Sequence, residues 1–120
     1  MYFYQCKDCG GIVILSEPNA CCVNGWEELL PNTTDAAGEK HVPVMETDGR
    51  NVTVKVGSAE HPMLAAHYIM WIILETNQGC QKKELKPGEK PVAQFALADG
   101  ETVVAAYEYC NLHGLWKADA

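Results

Sequence analysis

Val44-Met45-Glu46-Thr47-Asp48-Gly49-Arg50-Asn51-Val52-Thr53-Val54-Lys55-Val56 is the stretch that decides the fold of this chain. Val52, Val54 and Val56 alternate with Asn51, Thr53 and Lys55. Side chains two apart share one face of a strand, so this pattern reads as a half-buried strand. Asp48-Gly49 is a tight-turn signal, because glycine enters the backbone region that a short hairpin loop needs. Val44–Thr47 and Asn51–Val56 are therefore expected to pair as a hairpin.

The same logic extends outward. Tyr68–Glu75 is aromatic and β-branched, short for a helix, and followed by Asn77-Gln78-Gly79. Pro87-Gly88 and Asp99-Gly100 bracket Val92–Leu97, and Thr102–Tyr109 reads as a further strand. Turn signals at these intervals predict a small antiparallel sandwich. Met63 to Met70 has some helical character, but Pro62 just before it favours a loop entering a strand. No convincing amphipathic helix, repeat or low-complexity tract is evident.

The chain has 120 residues, 48% of them apolar, which is enough for a real core. Its net charge of -7 argues against nucleic acid or an anionic membrane as the main partner. The opening Met1-Tyr2-Phe3-Tyr4-Gln5-Cys6 lacks the basic and apolar regions of a signal peptide. The longest apolar run, Tyr68 to Leu74, is too short to span a bilayer. A cytoplasmic location is expected, and in a reducing compartment six cysteines point to metal or redox chemistry rather than disulfides.

Four of those cysteines cluster near the N-terminus as Cys6-Lys7-Asp8-Cys9-Gly10-Gly11 and Cys21-Cys22. Two knuckle-like turns can close a tetrahedron of sulfurs, although adjacent ligands distort it. Spacing leaves zinc and iron both open, since both accept four thiolates. This segment is too small to fold unaided, and the polar stretch from Pro31 to Gly38 reads as a linker.

All four histidines of the chain, His41, His61, His67 and His113, lie near expected strand boundaries. Cys110-Asn111-Leu112-His113 closes the set at the end of a strand. One such histidine would most often be a surface or hydrogen-bonded core residue; four of four is harder to explain by chance. Four imidazoles and one thiolate make five donors, one short of an octahedron. A metal held that way keeps an open position, and the thiolate favours redox iron. Cys80, beside Gly79 in an expected turn and with no histidine near, is not expected to be a ligand.

Glu39-Lys40-His41-Val42-Pro43-Val44, His61-Pro62-Met63 with His67 and Trp71, Leu85-Lys86-Pro87-Gly88, and Tyr109-Cys110-Asn111-Leu112-His113-Gly114-Leu115-Trp116-Lys117 together resemble desulfoferrodoxin, the two-iron form of superoxide reductase. The resemblance implies a mainly β protein. Residues 1–37 would be a desulforedoxin-like module with one iron on Cys6, Cys9, Cys21 and Cys22. Residues 38–120 would be an immunoglobulin-like antiparallel β-sandwich with a second, ferrous iron on His41, His61, His67 and His113, and with Cys110 axial. It further implies one-electron reduction of superoxide to hydrogen peroxide, a rubredoxin-like electron donor and a homodimer. Lys40 would steer the superoxide anion, and Glu39 would ligate the oxidised iron after product leaves. The gap between Cys9 and Cys21 is shorter than that family's usual one. The competing readings are an iron-dependent electron carrier without small-molecule catalysis, and a zinc-ribbon interaction module.

Overall fold

The computed structural model describes residues 1–18 and 25–120. Its contacts divide the chain into Met1–Leu30 and Pro31–Ala120. In the first unit β1 (Tyr2–Cys6), β2 (Ile12–Leu15) and β3 (Trp26–Leu29) form an antiparallel sheet in the order β2-β1-β3. Among the described residues of this unit, Phe3 and Tyr4 of the central strand are the buried side chains. Cys6 ends β1, and the turn to β2 is closed by Gly10 N–H donating to the Cys6 carbonyl and Cys6 N–H to the Gly11 carbonyl. Gly10 has φ +77°, a conformation that favours glycine. Cys21 and Cys22 lie outside the described residues.

The second unit opens with a single helical turn, α1 (Gly38–His41), followed by β4 (Pro43–Asp48) and β5 (Asn51–Val56). Next come β6 (Ile69–Thr76), β7 (Gly79–Glu84), β8 (Val92–Ala96), β9 (Val103–Cys110) and β10 (Gly114–Asp119). One antiparallel sheet runs β10-β9-β6-β7 and the other β4-β5-β8. Together they make the expected immunoglobulin-like sandwich. Val52, Val54 and Val56 of β5 are buried with Ile72, Leu74 and Ala106 of the opposite sheet in one core. The hairpin read from Asp48-Gly49 is present, with Asp48 opposite Asn51 and Gly49 at φ +61°.

The strand at Tyr68–Glu75 is formed as β6, displaced by one residue at each end. It is central, flanked by β7 and β9, and its side chains are buried almost without a break. Three features differ from expectation. First, a strand not read from the sequence follows the end of β6: Thr76 pairs with Gly79 across a two-residue loop, and the chain returns as β7. Cys80 therefore sits in a strand rather than a turn, and is exposed. The polar, lysine-rich sequence of β7 hides it from a hydrophobic pattern, as is common in an edge strand. Second, α1 is a helical turn too short to leave a periodic signal, and Ala37 gives it no side-chain cap. Third, the polar stretch after Pro31 is fastened to β10, with Asn32 Nδ2 donating to the Lys117 carbonyl and Lys117 N–H to Asn32 Oδ1.

Candidate metal centre

Five donors meet at one end of the sandwich. One ligand-type atom from each of His41, His61, His67, Cys110 and His113 lies within 4.8 Å of all the others. His41 is the last residue of α1, and His61 and His67 sit in the loop between β5 and β6. Cys110 is the last residue of β9 and His113 lies in the three-residue turn to β10. Gly114, at φ +76°, completes that turn, which keeps Cys110 and His113 together. A register shift between Ile69 and Trp71 opposite Cys110 and Tyr109 breaks the ladder beside the cluster, as bulges near functional sites often do.

The imidazoles form a square. Ring centroids of neighbours are 4.7 Å apart for His41–His61, 4.6 Å for His61–His67, 5.0 Å for His67–His113 and 4.9 Å for His113–His41. His41 and His67 stand on a diagonal at 6.5 Å. Cys110 Sγ approaches His61 Nε2 at 3.6 Å and His113 Nδ1 at 3.9 Å. Neighbouring and opposite nitrogens about 2.1 Å from one metal ion would be separated by roughly 3.0 and 4.2 Å. The observed contacts of 3.2 Å between His61 Nε2 and His41 Nε2, and 3.1 Å between His113 Nδ1 and His41 Nε2, fit neighbouring ligands.

Tautomers sharpen the test. His41 Nδ1–H donates to the Ala37 carbonyl at 2.8 Å, and His61 Nδ1–H donates to the Pro62 carbonyl at 2.6 Å. A carbonyl only accepts, so both protons are on Nδ1 and both Nε2 atoms present lone pairs. Those lone pairs face each other at 3.2 Å, and His67 Nε2 is buried with no hydrogen-bond partner. Such a set is costly empty and favourable around a cation. The residues fit a metal ion.

The electrostatics agree. Burial, with further contributions from His113 and His67, holds His41 below the usual imidazole range. Burial pushes His61 down to about 4, and burial with His113 and Lys40 lowers His67. Neutral imidazoles are the form that ligates metal. Burial pushes the Cys110 thiol up, opposed by backbone N–H groups of Leu112 and His113. A coordinated cation reverses that preference and deprotonates the thiol. Glu39 and Lys40, both exposed, precede His41 on α1, and Lys40 is close enough to act on the His67 ring.

In the first unit Cys9 N–H donates to Cys6 Sγ at 3.4 Å, and this bond lowers the Cys6 thiol. A donor aimed at the sulfur favours its ionised form. Cys80 is outside the five-donor cluster.

Sequence reading missed several supporting groups. Trp116 stacks on His41, and its Nε1 donates to the His113 carbonyl at 3.1 Å. Gly57 packs so tightly that a Cβ there would lie 2.7 Å from the Glu39 carbonyl oxygen and 3.0 Å from that of Val42. Glu108, fully buried, has no hydrogen-bond partner on either carboxylate oxygen, and burial raises it to about 9. Its position is foreshadowed by alternation, since Ala106, Glu108 and Cys110 share one face of β9.

Comparison with known proteins completes the picture. A desulfoferrodoxin family model matches residues 33–119. The chain is 46% identical to a desulfoferrodoxin of Syntrophotalea carbinolica, covering 97% of this chain and 94% of that protein. It is 45% identical to a desulfoferrodoxin of Clostridium acetobutylicum over the same shares. The crystal structure of the superoxide reductase from Treponema pallidum superposes with a TM-score of 0.81 at 41% identity, covering 92% of this chain and 93% of that one. A superoxide reductase (1Fe-SOR) from Giardia intestinalis gives a TM-score of 0.57 at 37% identity, covering 68% and 97%.

Proposed function

Because the chain belongs to the desulfoferrodoxin family, we propose that His41, His61, His67, Cys110 and His113 hold a mononuclear iron at which superoxide is reduced to hydrogen peroxide. The observation that carries this reading is the square of imidazoles with a thiolate against it, its inward lone pairs unsatisfied. Relatives named superoxide reductase support the substrate. Iron, when bound, supplies one electron and a Lewis-acidic position for the anion.

The protein residues do the rest. Four neutral imidazoles and one thiolate leave a ferrous site with net positive charge, which attracts a small anion. An ion held by these five donors would keep a sixth position for the anion. Ala37 and Pro62 carbonyls fix the tautomers of His41 and His61, so their lone pairs stay turned inward. Lys40 adds a positive field at the His67 side of the cluster, and Glu39 beside it is the carboxylate that would ligate the oxidised iron. The stoichiometry is superoxide plus one electron and two protons to hydrogen peroxide, with the protons drawn from solvent.

A second iron on Cys6, Cys9, Cys21 and Cys22 in a separate N-terminal module, a rubredoxin-like donor, a homodimer and a cytoplasmic location complete the proposal. Among the described residues no helix is long and apolar enough to cross a membrane. The test is metal analysis of protein from iron-supplemented cells, followed by pulse radiolysis of the reduced protein with superoxide. Two irons per chain and rapid appearance of a ferric band from the Cys110 centre are expected. Iron without any reaction with superoxide would favour the electron-carrier reading, and zinc alone would sink both.

A further inference from the structure

His67 is held differently from the other ligand candidates. His41 and His61 have their outer nitrogens tied to carbonyls, whereas among the described residues no hydrogen bond holds the His67 ring, whose buried Nε2 is unpartnered like the other inward lone pairs. Its orientation is fixed through its backbone. His67 and Leu64 exchange two hydrogen bonds of 2.9 Å each, closing a small loop. That loop is bound to the turn carrying Cys110 and His113 through one residue, by its side chain and its backbone. Asn111 Nδ2 donates to the Ala66 carbonyl at 3.0 Å, Tyr68 N–H donates to Asn111 Oδ1 at 2.9 Å, and Asn111 N–H donates to the Tyr68 carbonyl at 3.2 Å. The residues on both sides of His67 are thus gripped by the residue that follows Cys110.

We propose that Asn111 is a positioning residue that sets where His67 presents its lone pair relative to Cys110 and His113. The inference rests on the reading of the five donors as a metal site. The amide suits this task because it donates from one end and accepts at the other, matching a carbonyl and an N–H two residues apart. A ligand loop fastened to the opposing ligand turn cannot drift away without breaking several bonds, so the square stays pre-formed before metal arrives.

The test is cobalt(II) titration of the full chain, metal-free and carrying Cys9→Ser to silence the N-terminal cysteines, read by the thiolate-to-cobalt band of Cys110. Asn111→Ala should weaken cobalt binding roughly 10- to 100-fold, the usual cost of removing a group that orients a ligand. Asn111→Asp, which keeps the acceptor for Tyr68 N–H, should recover part of that loss. In a His67→Ala background Asn111→Ala should have no further effect, while in a His41→Ala background its full effect should remain. Circular dichroism checks folding, and if Asn111→Ala does not fold, the same cycle is run with Asn111→Asp. Parent-like affinity in a folded Asn111→Ala protein, or an equal loss with and without His67, would overturn the inference. Failure of the parent chain itself to give the cobalt band would instead overturn the metal reading, and this inference with it.

Discussion

The Trp116 indole lies against the His41 imidazole, with ring centroids 4.9 Å apart and 26° between their planes. Its Nε1 simultaneously donates to the His113 carbonyl, so one side chain braces two corners of the square. Trp116 is 4% exposed, and this contact is part of the fold rather than a surface accident.

Trp116→Phe should keep the stack and lose the hydrogen bond, at about 1 kcal/mol of stability. Trp116→Ala should cost about 3–5 kcal/mol, because a buried indole leaves a cavity. Urea unfolding of the metal-free proteins gives both values. Similar small losses for the two variants would show that the packing of this ring contributes little.

Cys110→Ser should abolish the sulfur-to-iron charge-transfer band of the oxidised centre, since Cys110 is the one thiolate among the five clustered donors. Cys80→Ser should leave that band unchanged, because Cys80 lies in the exposed strand β7. The reverse pattern in visible spectra would reassign the ligand.

Lys40→Ala should slow the reaction of reduced protein with superoxide roughly tenfold, equivalent to about 1.4 kcal/mol of lost transition-state interaction. It should also flatten the salt dependence of the rate, because screening acts on the field being removed. Iron content should not change. Pulse radiolysis across a salt series decides the matter, and an unaltered rate and slope would leave the metal as the sole guide.

Gly57→Ala puts a methyl group where the backbone of α1 already sits, 2.7 Å from the Glu39 carbonyl oxygen. Backbone cannot rotate aside as a side chain does, so the turn bearing Glu39, Lys40 and His41 must shift. A loss of about 1–3 kcal/mol is expected, together with faster iron loss to a chelator. Wild-type stability and iron retention would show that the turn yields freely.

Glu108 supplies a pH signature. Its folded carboxyl is raised to about 9 from an ordinary 4.5, so the folded state holds a proton that the unfolded state releases. Its contribution to stability therefore falls as pH rises between those two values. Glu108→Gln keeps the shape without the charge, so its stability relative to wild type should increase with pH, by at most about 1.4 kcal/mol per pH unit. Urea unfolding of metal-free wild type and variant at several pH values tests this. A difference independent of pH would show that the carboxyl finds a partner or water on ionising.

The sandwich was legible where side chains alternate or turns carry glycine, as in β5 and the loop at Asp48-Gly49. It was not legible in β7, whose polar residues look like loop because the strand is an edge. Nor was it legible in α1, a helical turn shorter than the period that would reveal it. The five donors could be gathered from residue type and the Cys110-x-x-His113 spacing. Their square arrangement could not, because it depends on where separate loops end in space. The braces Trp116, Asn111 and Gly57 escaped for the same reason: each acts through a contact between residues far apart in sequence.

That separation also sets an order of assembly. Cys6 and Cys9 belong to one tight turn, available as soon as a short piece of chain exists. The donors of the sandwich run from residue 41 to residue 113, and they converge only when α1, the β5–β6 loop and the β9–β10 turn are in place. A chain cut anywhere before residue 113 therefore lacks a donor of the histidine square, whereas the Cys6–Cys9 turn is complete once residue 11 is present.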